Sequence, residues 1–133
     1  MDVQERIFAQ KVKGQCCSEI IAAMCLADLG REGADECDLV KAMAAFCEGM
    51  GEGQLCGTLA AATAMLFVGA EDKAQAAREL LPEMMNWFYD RFGAYTCADL
   101  IAGEEMRKLS LCPGMIEETY LKLREMLEDA GAL

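Results

Sequence analysis

The chain has 133 residues, a length that suits one domain with its own hydrophobic core. Its formal net charge of −11 disfavours binding to nucleic acid and to anionic membranes, which would be repelled by such a surface. It contains no histidine, which excludes the Ser-His and Cys-His nucleophile pairs, histidine-ligated haem and Cys₂His₂ zinc.

The composition favours helices along the whole chain, because alanine, leucine, methionine and glutamate dominate and only two prolines occur. The predicted helices, divided by glycine breaks, cover residues 3–12, 17–29, 35–48, 56–68, 72–92, 97–101 and 113–130, with a further short one left open at 104–109. Pro82 is expected to kink or split the fifth helix, and Pro113 to begin the last one. We therefore predict an all-α, compact bundle of six to seven helices, a single cysteine-rich domain 1–133 around the apolar helix 56–68.

The N-terminus lacks the basic region and apolar core of a signal peptide, and no apolar stretch is long enough to span a bilayer. These features predict a cytoplasmic protein. In a reducing compartment, eight cysteines favour metal binding or redox chemistry over structural disulfides.

Four cysteines stand where predicted helices begin: Cys17, Cys56, Cys97 and Cys112. A helix start presents free N–H groups and a partial positive charge, which favour the reactive, metal-binding thiolate over the thiol. If the fold gathers these four helix starts, their sulfurs converge on one site.

The other cysteines have different expected roles. Cys25 and Cys47 lie on apolar helix faces and are predicted to be small hydrophobic side chains of the core. Cys37 is predicted to be an incidental thiol. Cys16 adjoins Cys17, and a disulfide between sequence neighbours would be strained, so none is expected; Cys16 could instead resolve an oxidised Cys17.

The order and spacing of four segments resemble the C-GCAxxG-C-C family of redox-active proteins. These segments are residues 14–19 (GQCCSE), residues 56–61 (CGTLAA) after the glycine-rich loop 49–53, residues 92–103 (FGAYTCADLIAG), and Cys112. The resemblance runs from about residue 14 to the last helix. It implies a small helical protein in which the four cysteines at the predicted helix starts carry redox chemistry, without naming a substrate.

The second segment departs from the family pattern at two positions. Thr58 replaces the alanine of the family, and Ala61 replaces its second glycine. If that glycine lets another backbone or a cluster come close, the alanine narrows the available space.

Three hypotheses remain open from the sequence. The leading one is an electron-transfer protein in which the four sulfurs bind an iron–sulfur cluster, [2Fe–2S], through Cys17, Cys56, Cys97 and Cys112. The second is a metal-free thiol–disulfide protein with no cofactor, in which Cys17 or Cys56 attacks first. The third is a structural or partner-binding helical bundle with inert or zinc-bound cysteines.

The expected partner is a redox protein with a basic face, and a homo-oligomer is left open. Because no acid–base constellation can be located, the chain is interpreted as an accessory redox protein rather than a stand-alone enzyme.

Overall fold

The computed structural model describes residues 2–31, 33, 37–102 and 104–133, and these residues form an all-α bundle as predicted. The helices are α1 (Val3–Val12), α2 (Cys17–Asp28), α3 (Asp38–Met43), α4 (Gly57–Ala70), α5 (Ala74–Phe92), α6 (Cys97–Ile101) and α7 (Arg107–Asp129). Two irregular helical turns, Ala44–Phe46 and Gly49–Gly53, lie between α3 and α4. The predicted start of the third helix at residue 35 and the glycine at residue 103 lie outside the described residues.

Helix α4 is the centre of the bundle, as its uninterrupted apolar sequence predicts. It packs against α2, α5 and α7, and the side chains of Leu59, Ala61 and Met65 are completely buried. Its alanines leave room for the neighbouring helices to approach closely. None of the helices in the described ranges is both long enough and apolar enough to cross a bilayer.

Both prolines lie inside helices, as predicted for Pro82 but not for Pro113. Helix α5 continues through Pro82 without a split. Helix α7 starts at Arg107 and runs through Pro113, so the predicted start at Pro113 is wrong. Each proline removes one i→i−4 hydrogen bond, and the carbonyls that lose it belong to the exposed residues Arg78 and Leu109, outside the core.

A polar network connects the first, second and last helices beside the core. The Asp28 carboxylate, whose side chain is 13% exposed, lies 3.0 Å from Arg6 Nη2 and 3.1 Å from Arg124 Nη1. The hydroxyl of Tyr120 also donates to this carboxylate. A largely buried carboxylate is stabilised by two cations and a hydroxyl donor, so the network orients α1 and α7 against α2.

Candidate functional site

Three of the four predicted site cysteines stand at helix starts. Cys17 is the first residue of α2, Cys56 is the N-cap of α4, and Cys97 is the first residue of α6. Cys112 does not, because α7 begins at Arg107 and Cys112 lies in its second turn. The helix-start argument therefore fails for Cys112.

A short backbone pairing brings the segments that precede Cys56 and Cys97 side by side. The Cys56 N–H donates to Tyr95 O at 2.8 Å, and the Cys97 N–H donates to Gln54 O at 2.9 Å. These bonds form an isolated antiparallel bridge centred on Leu55. Two cysteines that are far apart in the sequence are thereby placed next to each other.

All four cysteines line one cavity of about 240 Å³ between α2, α4, α6 and α7. Cys16 lines the same cavity. The other lining residues are mostly apolar, with two lysines and one glutamate among them: Lys11, Gln15, Ile20, Glu48, Thr58, Leu100, Ile101, Lys108, Leu109, Leu111, Met115 and Ile116. A second hollow, of about 280 Å³ beside the C-terminal end of α4, has no cysteine in its described lining. Five of the eight cysteines therefore line the first cavity.

The N-terminus of α4 donates hydrogen bonds to three of the four sulfurs. The N–H groups of residues 57–59 donate, in order, to the sulfurs of Cys97, Cys17 and Cys56. The hydroxyl of Thr58 donates to the Cys17 sulfur as well. These N–H groups have no partner within the helix, so sulfur acceptors satisfy them and negative charge on the sulfurs is stabilised.

The thiols of Cys56 and Cys97 form an asymmetric pair. The Cys56 thiol donates a hydrogen bond to the Cys97 sulfur, which lowers the pKa of Cys97 to about 6, with help from the Gly57 N–H and from Lys108. The same hydrogen bond, together with burial, raises the pKa of Cys56. At neutral pH the pair therefore holds one thiolate, on Cys97, and one thiol.

Burial raises the pKa of the remaining two site cysteines. For Cys17 the hydrogen bonds from α4 oppose this effect, and for Cys112 the nearby sulfurs of Cys17 and Cys97 add to it. Four unpaired thiolates in an apolar cavity would repel one another and lose hydration. A cationic group in the cavity would relieve both costs.

The four sulfurs are spaced too widely for a single tetrahedral ion. A tetrahedral zinc with bonds of about 2.3 Å places its sulfur ligands roughly 3.8 Å apart. Among the described residues, no three of these four sulfurs lie within 4.8 Å of one another, whereas Cys16, Glu19 and Cys47 do. Among the described residues, the spacing of these four sulfurs therefore disfavours a single tetrahedral ion.

Gly57 allows the close packing beside Cys17. A Cβ at this position would lie 2.6 Å from Phe46 O and 3.1 Å from Cys17 Sγ. Thr58 and Ala61, the two departures from the family pattern, are both buried, and Thr58 supplies the hydroxyl donor described above. Position 57 therefore requires glycine, because the start of α4 lies against the Cys17 sulfur there.

The sequence prediction for Cys47 is wrong, because Cys47 forms a disulfide with Cys16, with a Cα–Cα distance of 6.0 Å. The pair is 31 residues apart in the sequence, and no periodic pattern relates its two segments. As expected, Cys16 is not bonded to Cys17. Cys25 is buried in the core as predicted, and Cys37 is a free, half-buried thiol.

The chain matches the model of a known protein family. A family model described as "Putative redox-active protein (C_GCAxxG_C_C)" matches residues 15–126. The matched range contains all eight cysteines. No curated protein and no solved structure matches the chain.

Proposed function

Because the chain belongs to the C_GCAxxG_C_C family of redox-active proteins, we propose that it is an electron-transfer protein with an iron–sulfur cluster in its cysteine cavity. The ligands would be Cys17, Cys56, Cys97 and Cys112. The observation that carries the proposal is the lining of one cavity by four cysteine sulfurs, three of which accept N–H groups from the start of α4.

The donor set fits a [2Fe–2S] cluster. Four thiolates and no histidine are the usual ligands of such a cluster, and the spacing exceeds what a single ion requires. When bound, the cluster would accept and return one electron. The N–H donors of α4 and the Thr58 hydroxyl would stabilise its negative charge, and hydrogen bonds to sulfur are a principal control of cluster potential.

The remaining cavity residues would separate the cluster from water and orient its ligands. Ile20, Leu100 and Met115 provide an apolar wall, while Lys108 lies at the cavity beside Cys97 and pairs with Glu48 at 3.3 Å. The acidic surface, with a net charge of −11, suits a redox partner with a basic face. We place this accessory redox role in the cytoplasm.

The test is anaerobic reconstitution with iron and sulfide, followed by iron and sulfide analysis, visible absorption and electron paramagnetic resonance of the reduced protein. We expect two irons and two sulfides per chain in a coloured protein. Cys56→Ser should lose the cluster, whereas the matched control Cys37→Ser, a free thiol outside the cavity, should retain it. A colourless, iron-free protein after reconstitution would exclude the cluster.

A second candidate is metal-free thiol–disulfide chemistry at Cys56 and Cys97, favoured by the hydrogen bond between their thiols. Their oxidation would form one S–S bond and transfer two electrons and two protons to a disulfide of the co-reactant, which becomes two thiols. Mass spectrometry of the metal-free protein after mild oxidation distinguishes the candidates. A Cys56–Cys97 disulfide in a protein that takes up no iron favours this chemistry, and binding of zinc alone favours a structural bundle.

A further inference from the structure

The Cys16–Cys47 disulfide joins two segments that meet at the cysteine cavity, and Cys16 itself is one of the lining residues. Cys16 is the N-cap of α2, directly before Cys17, and Cys47 follows the turn Ala44–Phe46. Neither of these two residues is among the four cysteines through which the chain resembles its family. We propose that this disulfide is a second redox centre, a two-electron thiol–disulfide couple that exchanges with dithiol reductants.

Both cysteines of the disulfide are partly exposed to solvent. Cys16 and Cys47 are both half-buried, whereas Cys25 is 2% exposed and inert. Thiol–disulfide exchange requires direct contact between the attacking sulfur and the disulfide, so access determines whether a native disulfide reacts. We therefore expect this bond to react without unfolding of the bundle.

The backbone would hold the two cysteines in place after reduction. The Cys16 N–H donates to Glu19 Oε1 at 3.1 Å, which is part of the cap of α2. The Cys47 N–H donates to Ala44 O at 3.1 Å, and its carbonyl accepts from the Gly51 N–H at 2.9 Å. None of these bonds involves sulfur, so the Cα–Cα distance of 6.0 Å, within the range of disulfides, is retained and the bond can re-form.

Polar side chains next to the disulfide would accept hydrogen bonds from the reduced thiols. Ser18 Oγ lies 3.3 Å from Cys16 Sγ and 3.9 Å from Cys47 Sγ. Glu19 Oε1 lies 3.9 Å from Cys47 Sγ. Because Ser18 donates its own proton to Met43 O, its oxygen is available as an acceptor. The reduced state therefore leaves neither thiol without a partner.

The reaction balances with a dithiol as co-reactant. One thiolate of the dithiol attacks one sulfur of the Cys16–Cys47 bond, forms a mixed disulfide and releases the other cysteine as a thiolate, which takes up a proton. The second thiol of the reductant then displaces the first cysteine. Two electrons and two protons pass to the chain, and the reductant becomes a cyclic disulfide.

The test equilibrates the native, metal-free protein in mixtures of reduced and oxidised dithiothreitol and stops the exchange with acid. The free thiols are then alkylated in denaturant, so that buried thiols are labelled too, and mapped by peptide mass. The chain has eight cysteines, of which six are free, so we expect the count to rise from six to eight in one two-electron transition. The two new labels should be on Cys16 and Cys47, circular dichroism should be unchanged, and return to oxidised buffer should restore the bond.

Two variants make the assignment specific. Cys47→Ser should abolish the transition, and the matched control Cys37→Ser should keep it with one thiol fewer throughout. The proposal is overturned if the bond is reduced only in denaturant, if it fails to re-form, or if the transition maps to other cysteines. The assay contains no iron or sulfide, so a negative result for the disulfide says nothing about cluster binding. Cluster binding is measured separately, by reconstitution of Cys47→Ser with iron and sulfide.

Discussion

Replacement of Gly57 by alanine tests whether close packing at the start of α4 is what organises the cysteine cavity. The new Cβ would lie 2.6 Å from Phe46 O and 3.1 Å from Cys17 Sγ. Contact at ordinary van der Waals distance requires Phe46 O to move away by roughly 0.8 Å. That atom belongs to the backbone, so it cannot swing aside as a flexible side chain could.

Two opposing contributions determine how Gly57→Ala changes the free energy of unfolding. Overpacking in a well-packed region costs about 1–3 kcal/mol, and a rigid backbone contact places this case at about 2–3 kcal/mol. The gain in helix propensity and in unfolded-state entropy from glycine to alanine is at most about 0.5–1 kcal/mol. We therefore expect Gly57→Ala to lower the free energy of unfolding by about 1–2.5 kcal/mol.

The matched control is Gly114→Ala, because Gly114 also lies within a helix but its added Cβ would meet no atom within 4 Å. This variant should gain about 0.5–1 kcal/mol. Urea unfolding measures both free energies, and the alkylation rate of Cys17 reports on the cavity. If Gly57→Ala were as stable as Gly114→Ala, with an unchanged Cys17 rate, the packing argument would be refuted.

Three further predictions concern charge and hydrogen bonding. In the reduced, metal-free protein, alkylation of Cys97 should accelerate as pH rises through about 6, because the lowered pKa of Cys97 makes it a thiolate above that value. Cys25 should stay unreactive, because burial raises its pKa to about 12. Thr58→Val should raise the pKa of Cys17 further, since the hydroxyl donor is lost at similar volume, and peptide-resolved alkylation against pH measures the change. Asp28→Ala should lower the free energy of unfolding by about 2–4 kcal/mol, measured in urea, because two cations and a hydroxyl lose their shared acceptor.

Each of these predictions has a contradicting result. Cys97 reactivity that rises only near pH 9, as for an ordinary thiol, would mean that Cys56 does not donate to it. If Thr58→Val left the pKa of Cys17 unchanged, the Thr58 hydroxyl would not donate a hydrogen bond to the Cys17 sulfur. If Asp28→Ala changed the free energy of unfolding by less than about 0.5 kcal/mol, the network would contribute as little to stability as exposed ion pairs do.

Most of the fold could be predicted from the sequence. The errors of that prediction have a common origin. Helix α1 has the predicted bounds, and α2 differs from the prediction by one residue at its C-terminal end. The wrong start at Pro113 arose because a local rule for proline was applied without the tertiary packing of α7. Burial of residues such as Ile116 and Leu123 against the bundle outweighs one lost hydrogen bond at an exposed carbonyl.

The order and spacing of the sequence motifs identified the four motif cysteines. They did not predict the local environments of these cysteines. The Cys56–Cys97 contact depends on the bridge at Leu55, and the three N–H donors to sulfur depend on how α4 points into the cavity. The Cys16–Cys47 disulfide depends on the turn that follows α3. The Leu59 N–H reaches the Cys56 sulfur locally. The contacts of Cys16 with Cys47, of Cys17 with Thr58 and of Cys56 with Cys97 join segments 31 or more residues apart, and no helical period encodes them.

The sequence by itself determined the all-α class, the central apolar helix and the absence of histidine chemistry, because helical periodicity and residue type are local properties of the chain. Only the tertiary structure decided which sulfurs share a cavity, which thiol is ionised and which cysteines are bonded. Those properties follow from distances between side chains on different helices, and packing of the whole bundle sets them.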